Sequence, residues 1–220
     1  MLLSCTLFAA QAFGQLAEQP ARFEFPTQVM LKSLAWDTRQ GNPPIPGGLS
    51  LNRQSGLRAG YWFVQTDPHQ FHQVRRWIGD HGGVVFDYLP HNAFEARLPE
   101  ELVHQLQGQL PALYPVHPAW KLDPRIGLYQ TVRENTDGKW LIAVELWPDR
   151  IFEEEEKSLR QAGAEILEHH ASGRYSRVLI RVAQENLASI AYMPAVKWME
   201  ESAPATYRND EARWILQTNQ

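Results

Sequence analysis

Cysteine is nearly absent from the chain. Cys5 is the only one among 220 residues, which excludes an intramolecular disulfide framework and any Cys-x-x-Cys metal or redox motif. Neither sign of charge dominates, because 21 Lys and Arg stand against 25 Asp and Glu, whereas a phosphate backbone selects a basic excess. No apolar run approaches the roughly 20 residues that cross a bilayer. The 44% hydrophobic content indicates a folded protein, and the length allows one or two domains.

The N-terminus is short and apolar. The run Leu2–Ala10, followed by a zone that contains the small residues Ala12 and Gly14, is typical of a secretory signal and its cleavage zone. We interpret residues 1–15 as a signal-peptide remnant, which predicts a secreted or extracytoplasmic protein; the alternative is an ordinary apolar start. Residues 16–60 are predicted to form an extended leader and linker, because Pro and Gly crowd residues 42–48 and disfavour regular structure.

The remainder of the chain repeats itself, and each copy predicts the same order of elements. A copy opens with an aromatic and β-branched strand, continues into an amphipathic helix that ends on glycine, and then gives two strands joined by a turn. These features lie at 61–66, Gly82–Gly83, 84–89 and 93–98 in the first copy, and at 140–146, Gly163, 165–170 and 177–182 in the second.

Both copies finish in the same way. A second short helix is predicted at 100–106 and at 184–190. Leu110-Pro111-Ala112-Leu113 then matches Met193-Pro194-Ala195-Val196, and a last strand follows with Trp120 or Trp198 nearby.

This order, twice over, is the split βαβ or ferredoxin-like pattern. We therefore predict an α+β protein with two tandem ferredoxin-like βαββαβ domains, at 61–124 and 139–204. Each is close to the lower size limit for an independent core. One larger α/β domain is the alternative, but the matched glycines and Pro-Ala steps favour the repeat.

Histidines and acidic residues form no chemical motif. His69 and His72 share a helical face, whereas His169 and His170 point to opposite faces of a strand, and neither pair has the further ligands that zinc needs. The run Glu153–Glu156 begins a predicted helix and is interpreted as a solvated face. No Gly-x-Ser-x-Gly elbow or phosphate loop occurs. We predict no catalytic residue, metal or cofactor in this chain.

Four segments occur in an order typical of one family. They are Tyr61-Trp62-Phe63-Val64-Gln65, Asp87-Tyr88-Leu89-Pro90-His91-Asn92-Ala93-Phe94, Pro115-Val116-His117-Pro118-Ala119-Trp120-Lys121-Leu122 and Tyr207-Arg208-Asn209-Asp210-Glu211-Ala212-Arg213. From Tyr61 to Arg213 the chain resembles the propeptides of large secreted subtilisin-like serine proteases. In that family a strand similar to YFLVQF precedes a helix, a glycine and a segment similar to GYIPDNAY, and N-D-x-A-R marks the start of the protease domain.

The resemblance implies a prodomain that acts as an intramolecular chaperone and cleft-blocking inhibitor. It is not itself an enzyme, since the family's catalytic Asp, His and Ser lie beyond the junction, here residues 205–220. The second repeat precedes the junction and is expected to block the cleft, with a product-like tail formed by Ala205, Thr206, Tyr207 and Arg208. Processing is expected between Arg208 and Asn209, with cleavage after Tyr207 as runner-up. The implied partner is the cognate subtilisin-like protease domain, with no nucleic acid and, after signal removal, no membrane.

Two other functions remain open from the sequence. The chain could be a freestanding exported protease inhibitor or protein-interaction module, or a tandem regulatory domain that binds a small ligand between its repeats. The coding sequence beyond codon 220 separates the first from a prodomain. In-frame Asp-Thr/Ser-Gly and His-Gly-Thr-His motifs would indicate the prodomain, and a true stop codon the freestanding module.

Overall fold

The computed structural model describes residues 27–43, 45–128 and 138–202. Within them the protein is mixed α+β, with five α-helices and three antiparallel sheets, which confirms the predicted class. The chain divides into two compact units, with the boundary between Trp120 and Lys121. In the part of the chain that is described, no helix is long and apolar enough to span a membrane.

The described residues of the first unit form a two-stranded sheet, a four-stranded sheet and three helices. In chain order its elements are β1 (Gln28–Met30), β2 (Ala35–Asp37), α1 (Arg53–Ala59), β3 (Tyr61–Gln65), α2 (Phe71–Asp80), β4 (Val84–Leu89), β5 (Ala93–Arg97), α3 (Glu100–Leu106) and β6 (Ala112–Pro115). The four-stranded sheet has the order β4-β5-β3-β6, and every pair is antiparallel. Helix α2 buries Phe71, Val74 and Ile78 in one core with Val64 and Phe94, as the helical spacing predicts.

The described part of the second unit repeats the path of the first from β3 onward. Its elements are β7 (Trp140–Leu146), α4 (Phe152–Gln161), β8 (Glu165–Ser172), β9 (Tyr175–Val182), α5 (Leu187–Tyr192) and β10 (Val196–Glu201). The sheet order is β10-β7-β9-β8, again antiparallel throughout. In each four-stranded sheet the first and third of its own strands therefore lie at the centre, β3 and β5 in one and β7 and β9 in the other. The predicted helix at 184–190 is a 3-10 turn at Gln184–Asn186 that continues into α5.

The glycines that were predicted to stop the long helices do so with the same hydrogen bonds. Gly82 and Gly163 have φ of 85° and 89°, the left-handed region that glycine adopts without strain. The next residue donates its N–H to the carbonyl five positions back, from Gly83 to Ile78 and from Ala164 to Leu159. This is the Schellman motif, and it ends the long helix of each unit.

The segment predicted to be an extended leader instead contains regular elements. Strands β1 and β2 pair in it, and α1 precedes Tyr61. The physical reason lies at the ends of α1: the Asn52 side chain accepts the Ser55 N–H at its start, and Gly60 adopts the left-handed conformation at its end. The proline-rich run lies before this capped helix and does not prevent it.

Candidate functional site

The four-stranded sheet of the second unit has an inner face, which packs on its helices, and an outer face. Residues directly opposite each other in an antiparallel pair share a face, and Ile142, Val144 and Ile180 lie in the core. The alternate positions define the outer face: Ala143 pairs with Leu179 and Glu200, Glu145 with Arg177 and Trp198, and Leu141 with Arg181.

This outer face has an apolar centre and a charged rim. Leu141 and Leu179 are half-buried there, whereas Ala143 and Trp198 are buried, at 2% and 6% exposed. At the rim, Arg177 Nη2 lies 2.9 Å from one oxygen of Glu200, while the Trp198 indole N–H donates to the other at 3.0 Å. The Arg177 side chain is still 55% exposed. An apolar centre inside a polar rim is the usual anatomy of a protein–protein interface.

In the first unit, the equivalent face of the four-stranded sheet is covered by residues of the same unit. Tyr61 and Phe63 of β3 lie on it and are 1% and 5% exposed. The Trp120 ring centroid lies 5.7 Å from that of Phe63, and Trp36 of β2 lies 5.2 Å from Trp120. The two units therefore share a strand order but differ on this face: aromatic rings cover it in the first unit, whereas Arg177 is exposed and Leu179 half-buried on it in the second.

Burial fixes the protonation of His117 beside this aromatic cover. The residue is 8% exposed, and its Nδ1 accepts the Leu51 backbone N–H at 2.8 Å. Burial lowers the pKa of His117 to about 4, so the ring is neutral at pH 7 and can accept that hydrogen bond. His117 thus joins the loop before α1 to the segment that follows β6.

A Ser–His pair in the second unit lacks the third member of a catalytic triad. His169 Nε2 lies 3.1 Å from Ser176 Oγ in a surface cleft of about 230 Å³, and Phe152 stacks on the imidazole at 3.9 Å. No carboxylate among the described residues holds the other ring nitrogen, which orients the base in such triads. His170 lies on the other face beside Glu168, as strand alternation predicts.

Metal chemistry gains no support from the described residues. They contain no group of three or more His, Cys, Asp or Glu placed to hold an ion. The acidic run Glu153–Glu156 lies in α4, where Glu156 pairs with Arg160 and Glu155 with Arg150. These carboxylates belong to the helix surface, as the sequence suggested.

The predicted tail and junction, Ala205, Thr206, Tyr207, Arg208 and Asn209, lie outside the described residues, as does the signal remnant at 1–15. The strand that leads to the tail, β10, ends at Glu201, and the next residue, Ser202, donates its N–H to the Leu141 carbonyl at 2.9 Å. The chain thus approaches the tail from β10, next to the outer face. Sequence reasoning had not singled out Arg177, Leu179 or Arg181, although their alternation in β9 is visible in the sequence.

No protein-family model matches the chain, and no curated protein or solved structure matches it significantly. The function is therefore inferred from the residues and their geometry.

Proposed function

We propose that the chain is the prodomain of a secreted subtilisin-like serine protease, which assists the folding of the protease and then blocks its cleft. In this proposal both units are ferredoxin-like βαββαβ domains. The strand orders β4-β5-β3-β6 and β10-β7-β9-β8, with the matched helix ends at Gly82 and Gly163, support it.

The observation that carries the proposal is the outer face of the second unit. On this face Leu141 and Leu179 are only half-buried and offer apolar contact area, and the Arg177–Glu200 pair at its rim offers orientation. Strand β10 runs along the same sheet and leads into the proposed tail. One partner could therefore contact the face while the tail adds to its cleft as an extended strand.

In this division of roles the second unit contacts the protease, and the first unit stabilises the prodomain. The tail Ala205–Arg208 would occupy the cleft in product-like fashion, and the bond from Arg208 to Asn209 would be the processing site. No cofactor is needed, because binding and templating use surface contacts alone.

The test is inhibition of subtilisin-like proteases by the full chain, compared among single variants. Arg177→Glu reverses a rim charge and should raise the inhibition constant about tenfold, equal to about 1.4 kcal/mol. Arg174→Glu is the matched control, since Arg174 is an exposed arginine of the same unit outside the outer face, and it should leave the constant unchanged. Arg208→Asp should weaken inhibition through the tail.

The outcomes separate the candidate functions. Inhibition that depends on Arg177 and Arg208, together with faster refolding of a denatured subtilase, supports the prodomain. Inhibition without refolding assistance favours the freestanding inhibitor. No inhibition of any member of a subtilase panel contradicts the proposal.

A further inference from the structure

A short segment at the start of the second unit lies along the free edge of β10. This strap, residues 121–128, is joined to β10 at two points. Leu122 forms a parallel bridge with Met199, whose carbonyl accepts the Asp123 N–H at 2.9 Å. Farther on, the Gly127 N–H donates to a carboxylate oxygen of Glu201 at 2.8 Å. Because β10 is the edge strand of its sheet, the strap occupies the position that another strand could take.

Gly127 fits the strap closely against the sheet. Its φ is 90°, and a Cβ added there would lie 2.9 Å from the Trp140 ring. Ile126 and Leu122 pack against the core of the unit. The strap is therefore a fitted part of the second unit and not merely an adjoining loop.

The first residue of the strap is a buried lysine. Lys121 is 3% exposed, and its Nζ donates to the Met193 carbonyl at 2.8 Å. A protonated ammonium has three N–H donors and a large desolvation cost, so burial favours the neutral amine, which can still donate one N–H to the Met193 carbonyl.

Charged groups on the neighbouring elements have other partners. Within the strap, Asp123 receives two hydrogen bonds from the Arg125 guanidinium. On β10, Glu201 accepts from Gly127, and Lys197 lies 3.7 Å from Glu145. The preceding His117 accepts from Leu51, and the only titratable residue of α5 is Tyr192. Burial is the cause that lowers the pKa of Lys121, to about 7.

We propose that residues 121–128 are a protonation-sensitive strap, which lies docked along β10 while the Lys121 amine is neutral and leaves β10 when that amine takes up a proton. Release would free the edge of the strand that leads to the tail. That consequence for the tail rests on the proposed function, whereas the strap itself is a property of the second unit.

The direction of the pH effect follows from proton binding in the two states. The released strap exposes an ordinary lysine, which is protonated below about pH 10. The docked strap binds that proton only near pH 7. Opening therefore becomes more favourable as the pH falls from about 10 to about 7, by about tenfold per pH unit, and changes little below that range.

Trypsin cleavage after Arg125 measures strap opening in the full chain. The cleavage rate at low protease concentration, divided by that of a synthetic peptide of residues 119–131 at the same pH, gives the opening equilibrium. Between pH 7.5 and 9.5 this ratio should fall by roughly 50- to 100-fold. Lys121→Met, which keeps the length and apolar stem but cannot be protonated, should abolish the pH dependence. Lys157→Met removes an exposed lysine of α4 and should retain it.

A second readout covers the case in which Lys121→Met does not fold. The ¹³Cε resonance of Lys121 in the wild-type chain should titrate near pH 7. A midpoint near the ordinary lysine value, a cleavage ratio that is independent of pH, or an unchanged slope in folded Lys121→Met would overturn the proposal. Because none of these measurements uses a partner protease, they fail or succeed separately from the inhibition assay.

Discussion

Replacement of the two helix-stopping glycines by alanine tests the repeated architecture at matched positions. Gly82 and Gly163 occupy the same place in the two Schellman motifs, with φ of 85° and 89°. Alanine in this conformation costs about 1–2 kcal/mol because its Cβ crowds the backbone. Their surroundings differ: a Cβ at Gly82 meets nothing within 4 Å, whereas one at Gly163 lies 2.3 Å from Asn186 Nδ2 and 3.0 Å from its Cγ.

The structure therefore predicts two different costs. Gly82→Ala should lower the unfolding free energy of the first unit by the backbone term alone, about 1–2 kcal/mol. Gly163→Ala should cost the second unit a further 0.5–1.5 kcal/mol or so, because the Asn186 side chain must leave its rotamer. In the double variant Gly163→Ala/Asn186→Ala the contact is absent, so the coupling energy should equal that extra cost.

Native-state hydrogen exchange is the appropriate assay, since it reads the two units separately where a single unfolding curve would merge them. Amides of α2 report Gly82→Ala, and amides of α4 report Gly163→Ala. An equal cost at both sites would refute the role of Asn186. No cost at either site would refute the requirement for a left-handed residue, and with it the equivalence of the two helix ends.

Three further predictions concern the first unit. His117→Asn keeps an acceptor for the Leu51 N–H but removes the titrating imidazole. Because the folded pKa of His117, about 4, lies below the unfolded value, the wild-type chain should lose roughly 1–3 kcal/mol of unfolding free energy through this residue as the pH falls from 6.5 to 4. Urea unfolding should show this loss in the wild type and not in the variant. His91→Asn should stabilise the β4–β5 turn by about 0.5 kcal/mol in thermal melts, because His91 has φ of 64° and asparagine tolerates that region better. Trp120→Ala should cost about 3–5 kcal/mol and increase the binding of an apolar dye to the uncovered face around Phe63, whereas an unchanged dye signal would mean that Trp120 is not the cover.

Local signals predicted the elements of both units well. Val84–Leu89 and Glu100–Leu106 form where the sequence indicated, because a glycine stop and an acidic helix start mark their ends. The part before Tyr61 was predicted poorly because it depends on distant contacts. The Gln65 amide, for example, donates to the Gln28 carbonyl at 3.2 Å, a bond between residues 37 positions apart that no local pattern reveals.

The outer faces of the two four-stranded sheets show why a repeated strand order does not determine where a functional site lies. In an antiparallel sheet the helices need only one face to complete a core, so the other face can differ between copies without loss of the fold. In β9, Arg177 and Leu179 alternate with core residues, which already indicates a mixed face. Whether such a face is covered depends on residues from other parts of the chain, as Trp36 and Trp120 show for the four-stranded sheet of the first unit. The function proposed for this chain is therefore assigned to the outer face of the second unit and not to the strand order that both units share.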